Sequence, residues 1–194
     1  MAKFDLREKI FNNRSYTPIP LLIAVLIFAR PSVWSILAGI GLMAVGEFWR
    51  LWAVRYAGGA TRTTSGVGGD ELVTAGPYAH LRNPLYLGNL FNALGICVAA
   101  WAWMPWMLIV CLEFFAVQYG LIISLEEEYL GNRFAEAYRV YSSNVPRFVP
   151  RFDPWRGAAV AKPQPLREAI RTERHTLGSL TLITLLIVLR WKVF

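Results

Sequence analysis

Two short stretches carry the residues best suited to chemistry. The first, Gly76 to Asn89, packs Tyr78, His80, Arg82, Asn83, Pro84, Tyr86 and Asn89 into fourteen residues between apolar runs. Asn83 followed by Pro84 predicts a helix start, because Asn is a favoured N-cap and Pro fits the first helical position without needing an N–H. The free N–H groups and dipole of such a start favour an anion, and Arg82 adds a full charge beside it. The second stretch, Glu126-Glu127-Glu128, closes a later apolar run and offers carboxylates to a cation or a proton.

Stepping along the chain from these residues exposes a longer pattern. Gly76-Pro77-Tyr78 and Arg82-Asn83-Pro84-Leu85-Tyr86-Leu87-Gly88-Asn89 form one block. After the next apolar helix come Glu126-Glu127-Glu128, Phe134-Ala135, Tyr138-x-x-Tyr141 and Val145-Pro146-Arg147-Phe148-Val149-Pro150. Together these resemble the two-block signature of the isoprenylcysteine carboxyl methyltransferase and phospholipid methyltransferase superfamily, over roughly residues 46 to 150. Asn83 stands where that family usually has His, and Ala135 where it usually has Gly. The resemblance implies an integral-membrane enzyme using S-adenosylmethionine. It implies catalytic roles for Arg82, Glu126, Glu127 and Arg50, and cofactor contacts from Tyr78, His80, Arg82, Asn83, Pro84, Tyr86, Asn89 and Glu127. In that frame Arg82 and the helix start suit the cofactor carboxylate. One of Glu126 and Glu127 suits its ammonium or a group of the substrate, and Tyr86 offers a ring face to the sulfonium. His80 is either a site residue or a loop histidine with no role. Aromatic or aliphatic side chains from 134–148 are expected to fold back against the adenosine.

The elements that must position these residues are apolar helices. The 194 residues are 55% hydrophobic with a mean hydropathy of +0.38, above the composition of soluble domains. Apolar runs are expected at about 18–29, 33–54, 84–100, 106–125 and 176–189, with Ser32 capping the second. The reading is therefore all-α: a single membrane domain over 1–194, an integral-membrane bundle of about five transmembrane helices with a cytosolic helical segment. Leu130, Phe134, Tyr138 and Tyr141 recur at helical spacing beyond the fourth run. Trp101, Trp103 and Trp106 suit a membrane interface. A short turn at 101–105 should return the fourth run antiparallel to the third, bringing Glu126-Glu127 to Arg82.

The net charge of +7 follows the same division and argues against a nucleic-acid partner. Lys and Arg number four in 1–17, three in 55–83 and nine in 126–175, against three in the outer segments, Arg30, Arg190 and Lys192. The positive-inside rule then puts the N-terminus and both blocks on the cytosolic side, at the inner membrane in a bacterium. No removable signal peptide is read at 1–14. Cys97 and Cys111 read as small buried hydrophobes, and no metal site is expected. Glu47, Arg50, Asn89, Asn92 and Gln118 lie inside apolar runs. Such groups either hold helices together or belong to a site. Residues 58–70 are small and Gly-rich, a linker or a closing loop. The expected partners are membrane lipids and an amphiphilic or lipid substrate, with no obligate protein partner. A membrane reductase of the sterol-reductase type using NADPH, and a non-enzymatic membrane scaffold, are the competing readings.

Overall fold

A computed structural model of the chain describes residues 5–58 and 71–193, and within them the fold is helical with no strand. The helices are α1 (Leu6–Asn12), α2 (Ile19–Ile27), α3 (Val33–Ala57), α4 (Pro84–Ala100), α5 (Trp106–Asn144) and α6 (Leu166–Val193), with a 3-10 turn at Gly76–Ala79. Most of the Gly-rich stretch expected as a linker or closing loop falls outside the described residues. Ser32 caps α3 as expected, in a reciprocal capping box with Ser35.

α3 and α4 form the closest pair, because glycines let their backbones touch. A Cβ on Gly88 would lie 2.7 Å from the Gly46 carbonyl oxygen, and one on Gly95 2.7 Å from that of Gly39. Small residues at such a seam are the usual means of close approach inside a membrane. α2, α5 and α6 complete an apolar core of Val25, Ala29, Ile36, Cys97, Met107, Cys111 and Ile187. The outer faces are also apolar: Trp34 is 80% exposed, Phe48 60% and Val117 64%. A belt of this kind suits lipid rather than water.

α3 and α5 are long and apolar enough to cross a membrane, while α4 is apolar but has 17 residues. α2 has nine residues, about 14 Å of helix. Of the five expected spans, length and composition alone therefore support two. α5 and α6 also run further than the sequence pattern indicated. The apolar run 106–125 and the stripe 130–141 are one helix, interrupted at Ala135 (φ 42°, ψ −110°), and α6 begins ten residues before Thr176. Beyond the Ala135 break, Tyr138, Tyr141 and Val145 pack with Leu72, Leu130, Phe134 and Trp155. The extended stretch that follows is laced to the first block by backbone bonds. Arg82 N–H donates to Pro146 O (2.9 Å), Arg151 to His80 O (3.0 Å) and Trp155 to Ala79 O (3.0 Å).

Candidate functional site

The two blocks meet. α4 begins at Pro84 and α5 returns beside it, so Glu127 reaches Arg82 at 3.2 Å across 45 residues of sequence. Glu127 is held on its other side by Arg147, which donates from Nε at 3.1 Å and also from Nη2. Arg82 donates a second bond to the Ser142 carbonyl at 3.0 Å, and its buried Nε has no partner. The three adjacent glutamates thus have three different fates. Glu126 accepts from the Tyr86 hydroxyl at 2.6 Å, Glu127 sits between two guanidinium groups, and the exposed Glu128 pairs with Arg7.

Asn83 occupies the N-cap position of α4, but its side chain makes no capping bond. It is drawn instead to the 146–151 stretch, donating to Arg147 O at 3.1 Å. The expected cap is corrected accordingly: the start of α4 lacks a side-chain acceptor, which leaves its first N–H groups available to a ligand.

These residues line one cavity of about 860 Å³. Its polar end holds Tyr78, Arg82, Asn83, Pro84, Tyr86, Glu126, Glu127, Tyr138 and Tyr141. Its other end runs between the helices and is walled by Leu21, Ala93, Ile96, Cys111, Phe114, Phe115 and Leu180. Burial raises the Tyr78 hydroxyl above its usual range. Tyr141 donates to the Tyr78 carbonyl at 2.8 Å, fixing the turn that presents the block.

A second polar layer lies deeper. Arg50 donates to Glu173 Oε2 from Nε (3.1 Å) and Nη2 (2.6 Å), to Asn89 Oδ1, and to Thr176 at 3.3 Å. Glu47 lies 3.6 Å from Arg50 and accepts from Asn92 at 2.7 Å. Asn89 donates to Tyr119, whose ring stacks on Phe115 at 4.1 Å and lies 4.7 Å from Tyr86. Arg50, Asn89, Asn92 and Glu173 all line the cavity. Gln118 takes no part: it accepts from Thr17 and donates to Arg14 O, tying α5 to the N-terminal arm.

Of the ten residues expected to act in the chemistry or contact the cofactor, nine meet at the cavity, and His80 does not line it. The His80 Nδ1 lies 2.9 Å from Arg151 O and its ring packs on Trp52 at 5.5 Å, as part of the lacing. Glu173 and Tyr119 were missed, and so was Arg14, which also lines the cavity. A signal for Glu173 was present. Ala169, Glu173, Thr176 and Leu180 fall at i, i+4, i+7 and i+11, and Ala169 and Glu173 are the most buried of them.

Comparisons with known proteins point one way on family. A family model described as phospholipid methyltransferase matches residues 34–137. The cobalt-zinc-cadmium resistance protein CzcN of Cupriavidus metallidurans is 34% identical over 119 residues, which is 61% of this chain and 49% of that protein. The nickel-cobalt-cadmium resistance protein NccN of Alcaligenes xylosoxydans xylosoxydans is 31% identical over 118 residues, with the same shares. The chain spans about half the length of these curated relatives. No solved structure matches it.

Proposed function

Because the chain belongs to the phospholipid methyltransferase family, we propose that it transfers a methyl group from S-adenosylmethionine to an amphiphilic acceptor at the cytosolic membrane face. The acceptor is a prenylcysteine carboxylate, a lipid amine or a hydrophobic thiol. The observation that carries this reading is the cavity itself, which joins an ionic end at Arg82, Glu126 and Glu127 to an apolar end between the helices. Such a shape matches a ligand pair with charged groups and a hydrocarbon portion.

The residues present fit the cofactor. The unpartnered Arg82 Nε and the uncapped start of α4 suit its carboxylate. Glu126 takes one hydrogen bond, from Tyr86, and is the carboxylate with most capacity left for an ammonium. When bound, S-adenosylmethionine supplies a methyl on a sulfonium, which leaves as the S–C bond breaks and a bond to the acceptor forms. The protein's task is to hold the partners in contact and exclude water. The Tyr86, Tyr119 and Phe115 rings offer the faces a sulfonium prefers. If the acceptor rather than the cofactor ammonium occupies Glu126, that carboxylate is the base for the single proton an amine or thiol acceptor releases.

We place the chain as five spans, α2 to α6, with the N-terminus inside, from the charge distribution. Among the described residues no three of His, Cys, Asp and Glu come together to hold an ion. Calorimetry of the detergent-purified protein tests the proposal. S-adenosylmethionine and S-adenosylhomocysteine are expected to bind and NADPH not to. Binding of NADPH alone, or of none of the three, overturns it.

A further inference from the structure

Two thiols meet at the apolar end of the cavity, and the transfer reaction uses neither. Cys97 lies three residues before the end of α4 and Cys111 five residues after the start of α5. Antiparallel packing therefore brings them to one depth. Both are free, each is 2% exposed, and they neighbour each other within one buried cluster. The shell around them is apolar, with Val25, Ile36, Met107 and Ile187 in the same cluster. Cys111 lines the cavity and Cys97 stands behind it.

That shell restricts what the pair can hold. A hard cation needs oxygen ligands, whereas thiol sulfurs select soft centres. A buried apolar site also disfavours any product carrying net charge. We propose that Cys97 and Cys111 form a dithiol clamp for a trivalent arsenical that enters through the cavity. The arsenic loses its oxygen as water, which takes both thiol protons, and gains two As–S bonds. Its oxidation state is unchanged and the product is neutral. Trivalent arsenic carries both bonds on one side, which suits two neighbouring sulfurs at one depth on adjacent antiparallel helices; a linear two-coordinate ion needs them on opposite sides of it.

Phenylarsine oxide, added in slight excess to the reduced, detergent-purified chain, is the probe, read by intact mass. One phenylarsenic is expected to bridge both thiols of the wild-type protein. Cys97→Ala and Cys111→Ala should each bind it through one sulfur. A chelate gains about 100-fold or more over a single attachment, so release to excess mercaptoethanol should be slower by that factor in the wild type. A small dithiol should strip all three. The proposal is overturned if the wild type stays unmodified, or if a monothiol strips it as fast as the single variants. Should a variant fail to fold, the resistance of the wild-type adduct to the monothiol decides alone.

Discussion

Ala135 offers a stability test in which the sign alone is informative. Its backbone sits at φ 42°, ψ −110°, inside an otherwise regular α5. A Cβ makes that region sparsely populated, at a cost of roughly 1–3 kcal/mol. Glycine removes the strain and adds back about 0.5–1 kcal/mol of unfolded-state entropy. The Ala135 side chain is exposed, so its methyl contributes no core packing. Ala135→Gly is therefore expected to stabilise by about 1 kcal/mol, which is about 2–4 °C in melting temperature for a chain of this size. Ala137, two residues on and also exposed, has ordinary helical geometry. Ala137→Gly should cost about 1 kcal/mol. Thermal melts of both variants in one detergent give the comparison. If both shifts have the same sign, α5 is not broken at Ala135, and the placement of Tyr138 and Tyr141 under the cavity loses its cause.

Arg82→Ala should weaken S-adenosylhomocysteine binding by about 10-fold or more, the worth of a hydrogen bond to a charged group. The protein should stay folded, because Glu127 keeps Arg147; calorimetry within twofold of wild type would refute the carboxylate assignment. Glu173→Gln should cost about 3 kcal/mol, since it leaves the Arg50 charge under-compensated in a buried layer. Replacing Arg50 and Glu173 together by Leu should cost less than that single change, read by denaturant titration. Gly88→Ala should destabilise by about 1–3 kcal/mol by forcing a methyl against the Gly46 carbonyl. Gly120→Ala, with open space around it, is the control and should not.

Much of the site was legible because its two blocks are local. Asn83-Pro84 marks the start of α4 to the residue, and the short turn at 101–105 forces α5 back, so Glu127 had to arrive near Arg82. What the sequence hid was long-range. Asn83 has the chemistry of a cap, and only the position of Arg147 O shows where its amide went. Glu173 sits in a charged stretch that looks solvated until Arg50, 123 residues earlier, is seen across from it. Gln118 lies at a depth that groups it with Glu47 and Asn92, yet α5 turns it toward the N-terminal arm. The length of α5 was obscured by its own composition, which changes from apolar to polar at Glu126 without a break in the helix.

The Arg50–Glu173 pair also bears on the order in which the molecule is built. Arg50 is synthesised 123 residues before its principal partner. In the interval its neighbour one turn back, Glu47 at 3.6 Å, is the carboxylate on the same helix that offsets its charge. The charge of Arg50 is thus already offset within α3 when α6, the later element, docks. α6 then adds two shorter bonds from the guanidinium to Glu173 beside the looser contact with Glu47. α6 also carries Thr176 and Leu180 into the cavity wall. The chamber therefore stays incomplete until α6, the last of the described helices, has docked against α3.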